Sequence, residues 1–253
     1  MPVANKGGEH VLLFVASDVI AANVNIIWWC KTVRVESQYL QVRDNKMDRY
    51  HIVGRAGAGS LIAEFLFREV GVDYDISFPD PAEFKRPDFH ACNPLGRIPV
   101  LICPDGHQIF ETLAIINHIT SHFDGLAPAV GTPLHDRYSQ FMALLATSIY
   151  PAYHRQHHSH YYAQESGFDD LRAKAVAEQA VLYDYIEFEL APYICGRLLT
   201  AADFYLYMLS RWDLNKTAIR ATRPKLNALL NELRARPSIS ESLAAQPRRK
   251  SVD

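Results

Sequence analysis

Between Tyr50 and Phe123 the chain changes its hydrophobic period several times. Tyr50 to Val53 is a short apolar run that reads as a strand, and Gly54, Ala56, Gly57, Ala58 and Gly59 then form a turn of small residues. In the following SLIAEFLFREVG, the residues Leu61, Ile62, Phe65, Leu66 and Val70 recur at helical spacing, with Gly71 as a stop signal. Val72 to Phe78 reads as a second strand. The stretch Pro79 to Cys92, rich in prolines and charges, reads as irregular or as one short helix. Two further apolar runs, Ile98 to Cys103 and Gln108 to Phe110, are separated by Pro104, Asp105 and Gly106, whose backbone preferences close a tight reversal and predict a β-hairpin. Beyond Glu111 and Thr112, the residues Ala114, Ile115, Ile119 and Phe123 share a helical face. The predicted order is β-α-β-α-β-β-α.

After Gly125 to Pro133 the period is helical throughout. Met142, Leu145, Ile149 and Tyr153 recur at three or four residues, as do Val176, Ala180, Tyr183, Ile186 and Leu190, which predicts an all-α bundle. Thr200 with Asp203 three places on forms a capping box in which Asp stands for Glu, opening an apolar helix through Phe204, Tyr205 and Met208.

Glu111 and Thr112 fall at a predicted helix N-terminus. Free N–H groups and the positive end of the helix dipole there can hold an anion, while the Glu111 carboxylate can accept from an ammonium group. A zwitterionic amino-acid head fits such a site.

At this point the chain resembles the cytosolic glutathione transferases, in particular the bacterial type. Their thioredoxin-like domain carries an Asn-Pro-x-Gly-x-(Val/Ile)-Pro-x-Leu segment with a cis proline, a hairpin, and then an acidic residue and Ser or Thr opening a helix. Asn93, Pro94, Gly96, Ile98, Pro99, Leu101, Glu111 and Thr112 match that pattern in order and spacing. The resemblance spans about residues 49 to 246. It implies an α+β thioredoxin-like domain with a mixed sheet, followed by an all-α domain, and a symmetric homodimer formed through the first of these. The expected division is 47–124 for the glutathione-binding domain, 125–132 for a linker, 133–246 for the helical domain and 247–253 for a solvated tail.

The resemblance also implies glutathione as co-substrate. Ile98 would pair its backbone with the cysteinyl residue of glutathione just before Pro99. Glu111 and Thr112 would take the γ-glutamyl head, where the whole Asn93-to-Thr112 framework lifts them above simple helix capping, and Arg97 would meet a carboxylate, although an exposed surface arginine accounts for it equally. The matching turn in bacterial relatives carries a cysteine where this chain has Gly59, so cysteine-dependent chemistry is disfavoured and a serine-type transferase is expected. Lowering a thiol pKa by about two units requires roughly 2.7 kcal/mol. A helix dipole gives only about 0.3–1 kcal/mol, whereas a hydrogen bond to a charged sulfur adds about 1.5–3 kcal/mol. Ser60, at the start of the first helix, is the expected donor, with a plain N-cap as its alternative role, and Arg55 is the second candidate. Tyr150 and Tyr153 are expected to line the electrophile pocket, or else to be core.

The expected reaction is transfer of an alkyl or aryl group to the glutathione sulfur, a detoxification chemistry. Isomerase, ether-cleaving, dehalogenating or peroxidase activity on the same scaffold, or a non-catalytic binding role, are the alternatives.

The 253 residues are 49% hydrophobic and 21% charged, with a formal net charge of -2, which makes no electrostatic case for nucleic acid or a membrane surface. Cys30, Cys92, Cys103 and Cys195 form no C-x-x-C pair and no zinc-site or disulfide-framework spacing, so a cytoplasmic setting and no metal are expected. His154, His157, His158 and His160 read as a polar helix end, not a ligand set. Val11 to Trp29 is apolar but interrupted by Asp18, Asn23 and Asn25, a poor membrane span and a poor signal peptide. Residues 1–46 are expected to be a non-native or disordered extension, since a start at Met47 leaves a length usual for the family resembled.

Overall fold

The computed structural model describes residues 48–247. The expected extension at 1–46 and nearly all of the expected tail lie outside the described residues. Among those described, no helix is long and apolar enough to cross a membrane.

The first half opens with β1 (Tyr50–Val53), α1 (Leu61–Glu69) and β2 (Tyr74–Ser77). A 3₁₀ turn (Pro81–Lys85) and the short α2 (Pro87–Cys92) fill the stretch expected to be irregular or to hold one short helix. Then come β3 (Val100–Ile102), β4 (Gln108–Phe110) and α3 (Thr112–His122). The four strands lie in the order β2-β1-β3-β4. β1 runs parallel to β2 and antiparallel to β3, with Ile52 opposite Leu101, and β3 pairs antiparallel with β4. This is the mixed sheet of a thioredoxin-like domain. The Ile98–Pro99 peptide is cis, and Gly106 takes a positive φ of 87° at the hairpin tip, a conformation glycine adopts without steric cost.

A helical region follows. It comprises α4 (Pro133–Leu144), α5 (Tyr150–His157), α6 (Phe168–Glu189), α7 (Ala201–Ser210), α8 (Lys216–Ala221), α9 (Pro224–Ala235) and α10 (Pro237–Ala244). A π-turn, Leu145–Ile149, joins α4 to α5. Pro151 lacks an N–H and would crowd the carbonyl four residues back in a regular helix, so the widened turn is the backbone's accommodation of it, and Tyr150 is set at its exit.

One apolar core runs through both regions, from Ile52 and Leu101 of the sheet to Leu229 and Leu233 of α9. α1 lies at its centre, packed against α3 on one side and α7 and α10 on the other. Leu61 through Phe67 are all buried, as a helix enclosed on every side requires. The stripe expected on α6 is buried at Tyr183, Ile186 and Leu190 but displaced at its N-terminal end. Val176 is exposed, and Ala175, Gln179, Tyr183 and Ile186 face inward. The cause is a polar contact: Gln179 lies buried against Gln156 of α5, at 3.1 Å. On α3, Ala114 faces solvent, and Ile116 takes the buried position.

Candidate active site

Three segments of the thioredoxin-like domain and one tyrosine of the helical region meet at Gly59. A β-carbon there would stand 2.9 Å from the Tyr150 hydroxyl, 3.3 Å from the Thr112 hydroxyl and 3.7 Å from Cδ of Pro99. Only a residue without a side chain leaves that space open. The N–H groups of Gly59 and Ser60 donate to no acceptor among the described residues, so the start of α1 presents two unpaired donors beside it.

Ile98, in the bend next to Pro99, makes no backbone hydrogen bond among the described residues, which leaves its N–H and C=O unpaired there. Behind it, Asn93 fixes the loop by donating from Nδ2 to the Arg97 carbonyl at 2.7 Å and accepting from the Leu95 N–H at 3.0 Å.

Glu111 has a φ of 72°, the one non-glycine residue with positive φ among those described. Such a conformation costs on the order of 1–3 kcal/mol and persists where the surroundings impose it, often at binding sites. It leaves the carboxylate exposed and sets Thr112, 6% exposed, as the first residue of α3.

The expected catalytic and pocket residues separate. Ser60 is fully buried, and its hydroxyl turns back on the preceding turn, donating to the Arg55 carbonyl at 3.3 Å and accepting from the Arg55 N–H at 3.4 Å. It packs so closely on Gly54 that a β-carbon there would lie 2.4 Å from it. Its hydroxyl is therefore committed, contrary to expectation, and the helix cap is made without it. Tyr153 likewise lies in the core. It is 2% exposed, bonded to Tyr183 and to Asp213, and lines no cleft.

Tyr150 does stand in the site. Burial raises its hydroxyl above the ordinary pKa, with a hydrogen bond to Thr112 acting against that, the Glu111 charge adding to it and the Arg55 charge opposing it. At neutral pH it is a protonated donor. Arg55 is exposed, near enough to Tyr150 and to His158 to influence both, and Arg97 stands near His154. Burial, first, holds His154 and His158 below the usual imidazole pKa, followed by His158 and then Arg97 for His154, and by Arg55 and then His160 for His158. His154 and His157 lie in the last turn of α5, as expected of a polar helix end, and His154 and His158 are within electrostatic reach of Arg97 and Arg55, respectively.

Two residues of the helical region hold the Gly-rich turn from behind, and neither was legible in the sequence. Trp212 donates from Nε1 to the Gly57 carbonyl at 3.0 Å, and Gln246 accepts from the Gly57 N–H at 3.1 Å. Trp212 also packs on Tyr150, ring centroids 5.3 Å apart. An isolated Trp and a Gln near the end of the chain carry no local pattern that points to a turn so far away.

A four-stranded thioredoxin-like domain with a cis proline before its third strand, sharing one core with a helical region, places the chain in a class of two-part α+β proteins. Comparison with known proteins agrees. Residues 46–121 match the family described as "Glutathione S-transferase, N-terminal domain". Glutathione S-transferase GST-4.5 of Xanthomonas campestris pv. campestris is 24% identical over 201 residues, covering 76% of this chain and 96% of the relative. Among solved structures, a glutathione transferase homolog from Sulfitobacter with bound glutathione is 26% identical with a TM-score of 0.70, over 77% of this chain and 97% of that one. A sphingomonad glutathione S-transferase complexed with glutathione is 27% identical with a TM-score of 0.67, over 77% and 98%. The first domain of this chain thus carries the glutathione S-transferase N-terminal signature, and about three quarters of the chain is similar to glutathione transferases.

Proposed function

We propose that the cleft binds glutathione and that the protein conjugates its thiolate to a small apolar electrophile. The observation that carries this reading is the convergence of Pro99, Thr112 and Tyr150 on the side-chain-free face of Gly59. The glutathione bound in the Sulfitobacter and sphingomonad structures supports it. The unpaired backbone of Ile98 bonds the cysteinyl residue. Glu111 accepts from the γ-glutamyl ammonium, the N-terminus of α3 with the Thr112 hydroxyl takes the α-carboxylate, and Arg97 meets the glycyl carboxylate.

The thiol then lies over Gly59. We assign its activation to the Tyr150 hydroxyl in place of Ser60, with the N–H groups of Gly59 and Ser60 as further donors and Arg55 as a supporting charge. A single hydrogen bond to a charged sulfur contributes about 1.5–3 kcal/mol, enough for roughly one to two pKa units. The thiol proton leaves to solvent. The thiolate lone pair forms the new carbon–sulfur bond while the electrophile releases its leaving group or takes up charge across an activated double bond. Tyr150 and Trp212 offer that electrophile an aromatic wall, and His154 and His158 flank the mouth.

A second reading, a glutathione-binding protein without turnover, draws support from two features: Gly59 stands where bacterial relatives have a cysteine, and the Ser60 hydroxyl is committed to Arg55. Titration calorimetry with glutathione, followed by a thiolate absorbance scan against pH, separates the readings. Conjugation requires binding with the thiol pKa lowered by about one to two units, a shift that shrinks in Tyr150→Phe. Binding without the shift favours the second reading, and no binding removes both. The cytoplasmic homodimer belongs to the same proposal, and gel filtration giving only monomer at micromolar protein would oppose it.

A further inference from the structure

On the opposite margin of the thioredoxin-like domain, the tip of the β3–β4 hairpin meets α3. Cys103 directly follows β3, His107 directly precedes β4, and His118 belongs to α3. One ligand atom from each, the Cys103 sulfur and one ring nitrogen of each histidine, lies within 4.8 Å of the other two. We propose that Cys103, His107 and His118 form a zinc site that ties the hairpin to α3.

The distances and the supporting contacts fit that ion. The Cys103 sulfur is 3.6 Å from Nε2 of His118. Tetrahedral zinc, with Zn–S of about 2.3 Å and Zn–N of about 2.0–2.1 Å, sets such a pair of ligands roughly 3.5 Å apart. Nδ1 of His107 is held at 2.6 Å by the Asp105 carboxylate, which leaves Nε2 as its ligating nitrogen. A carboxylate on the far nitrogen of a metal-bound imidazole is the usual outer partner, orienting the ring and raising its basicity. A thiolate with two imidazoles is a borderline-soft donor set suited to zinc, with a fourth position for water. Zinc uptake converts the Cys103 thiol to the thiolate and releases its proton to solvent, while both imidazoles bind through a neutral nitrogen.

Nε2 of His118 also lies 3.3 Å from the Tyr50 hydroxyl, the partner with which zinc would compete. None of these groups belongs to the glutathione cleft. The cysteine spacing expected of linear zinc motifs is missing because one ligand comes from each side of a hairpin turn and the third from a helix.

The test uses the full chain, freed of metal by chelation, with no glutathione present, titrated with Co(II) and then Zn(II). The expected result is one Co(II) per chain with the visible bands of tetrahedral cobalt and a near-ultraviolet thiolate-to-cobalt band, all displaced by Zn(II). Cys103→Ser loses the thiolate band. His107 is exposed, so His107→Gln leaves the fold intact, and it weakens zinc binding more than tenfold. Asp105→Asn weakens it by about 10–100-fold. The proposal is overturned by absence of the thiolate band, by its survival in Cys103→Ser, by unchanged affinity in His107→Gln, or by cobalt bound only in an octahedral, thiolate-free form at other histidines.

Discussion

Gly59 is the residue on which the glutathione reading turns, because its missing side chain and the Tyr150 hydroxyl define one space. A β-carbon 2.9 Å from that hydroxyl is closer than such contacts normally allow, so Gly59→Ala forces Tyr150 away from the thiol position. Glutathione affinity should fall by about tenfold or more while thermal stability changes little. Removing the hydroxyl relieves the clash, so the two substitutions should be non-additive: Gly59→Ala costs less in a Tyr150→Phe background than in the wild type. A double-mutant cycle measured by calorimetry gives the coupling, and simple additivity would separate Gly59 from Tyr150. Glu111 offers an independent check. Glu111→Gln keeps the size of the side chain and removes its charge, so the ammonium loses a charge-assisted acceptor worth about 1.5–3 kcal/mol, or roughly 10–150-fold in affinity. A γ-glutamyl analogue lacking the amino group should bind both forms alike.

Among the elements, α7 shows how one buried carboxylate can fasten a helix end. Asp203 accepts from the N–H of Ile194 at 2.8 Å and from the N–H of Thr200 at 2.8 Å, with the Thr200 hydroxyl as a third donor at 3.0 Å. Asp203→Ala strands two backbone N–H groups in the core, each at about 1–3 kcal/mol, and at about 2–4 °C per kcal/mol in a chain of this size the melting temperature should drop by about 5–20 °C. Glutathione affinity below the transition should be unchanged; unaltered melting would mean that the cap contributes nothing. The Thr200–Asp203 spacing made this cap legible in the sequence, as the turn chemistry of Pro104 to Gly106 did for the hairpin. The N-terminal end of the stripe on α6 was not, because the Gln156–Gln179 pair puts a polar residue where a hydrophobic count expects none. Ser60 shows a further limit: its position at a helix start was readable, but the direction of its hydroxyl depends on contact with Gly54 and Arg55. Tyr150 was legible as an aromatic near the cleft, whereas its separation from Tyr153 required knowing that a buried Asp213 draws the second ring inward.

At the scale of the whole molecule, the two regions are fastened across the Gly-rich turn by a chain of polar contacts. Gln246 accepts from the Gly57 N–H and donates from Nε2 to both oxygens of Glu64, at 3.2 and 2.9 Å. Glu64 is 2% exposed, and burial raises its pKa to about 7, outweighing the Gln246 hydrogen bond and the Arg68 charge. An unfolded glutamate titrates near 4.5. Between these two values the folded chain keeps a proton that the unfolded chain has released. This raised carboxylate therefore contributes most below about pH 4.5, and its contribution is lost as pH rises through about 7. Glu64→Gln is neutral at every pH and can still accept from Gln246. The variant should match the wild type near pH 4.5, gain on it progressively up to pH 7, and be more stable by up to about 3 kcal/mol at pH 8. Paired thermal melts across that range measure the difference. A pH-independent offset would mean that Glu64 is ionised in the folded protein, and that the Gln246 amide, helped by Arg68, stabilises the charge that joins the Gly-rich turn to the end of α10.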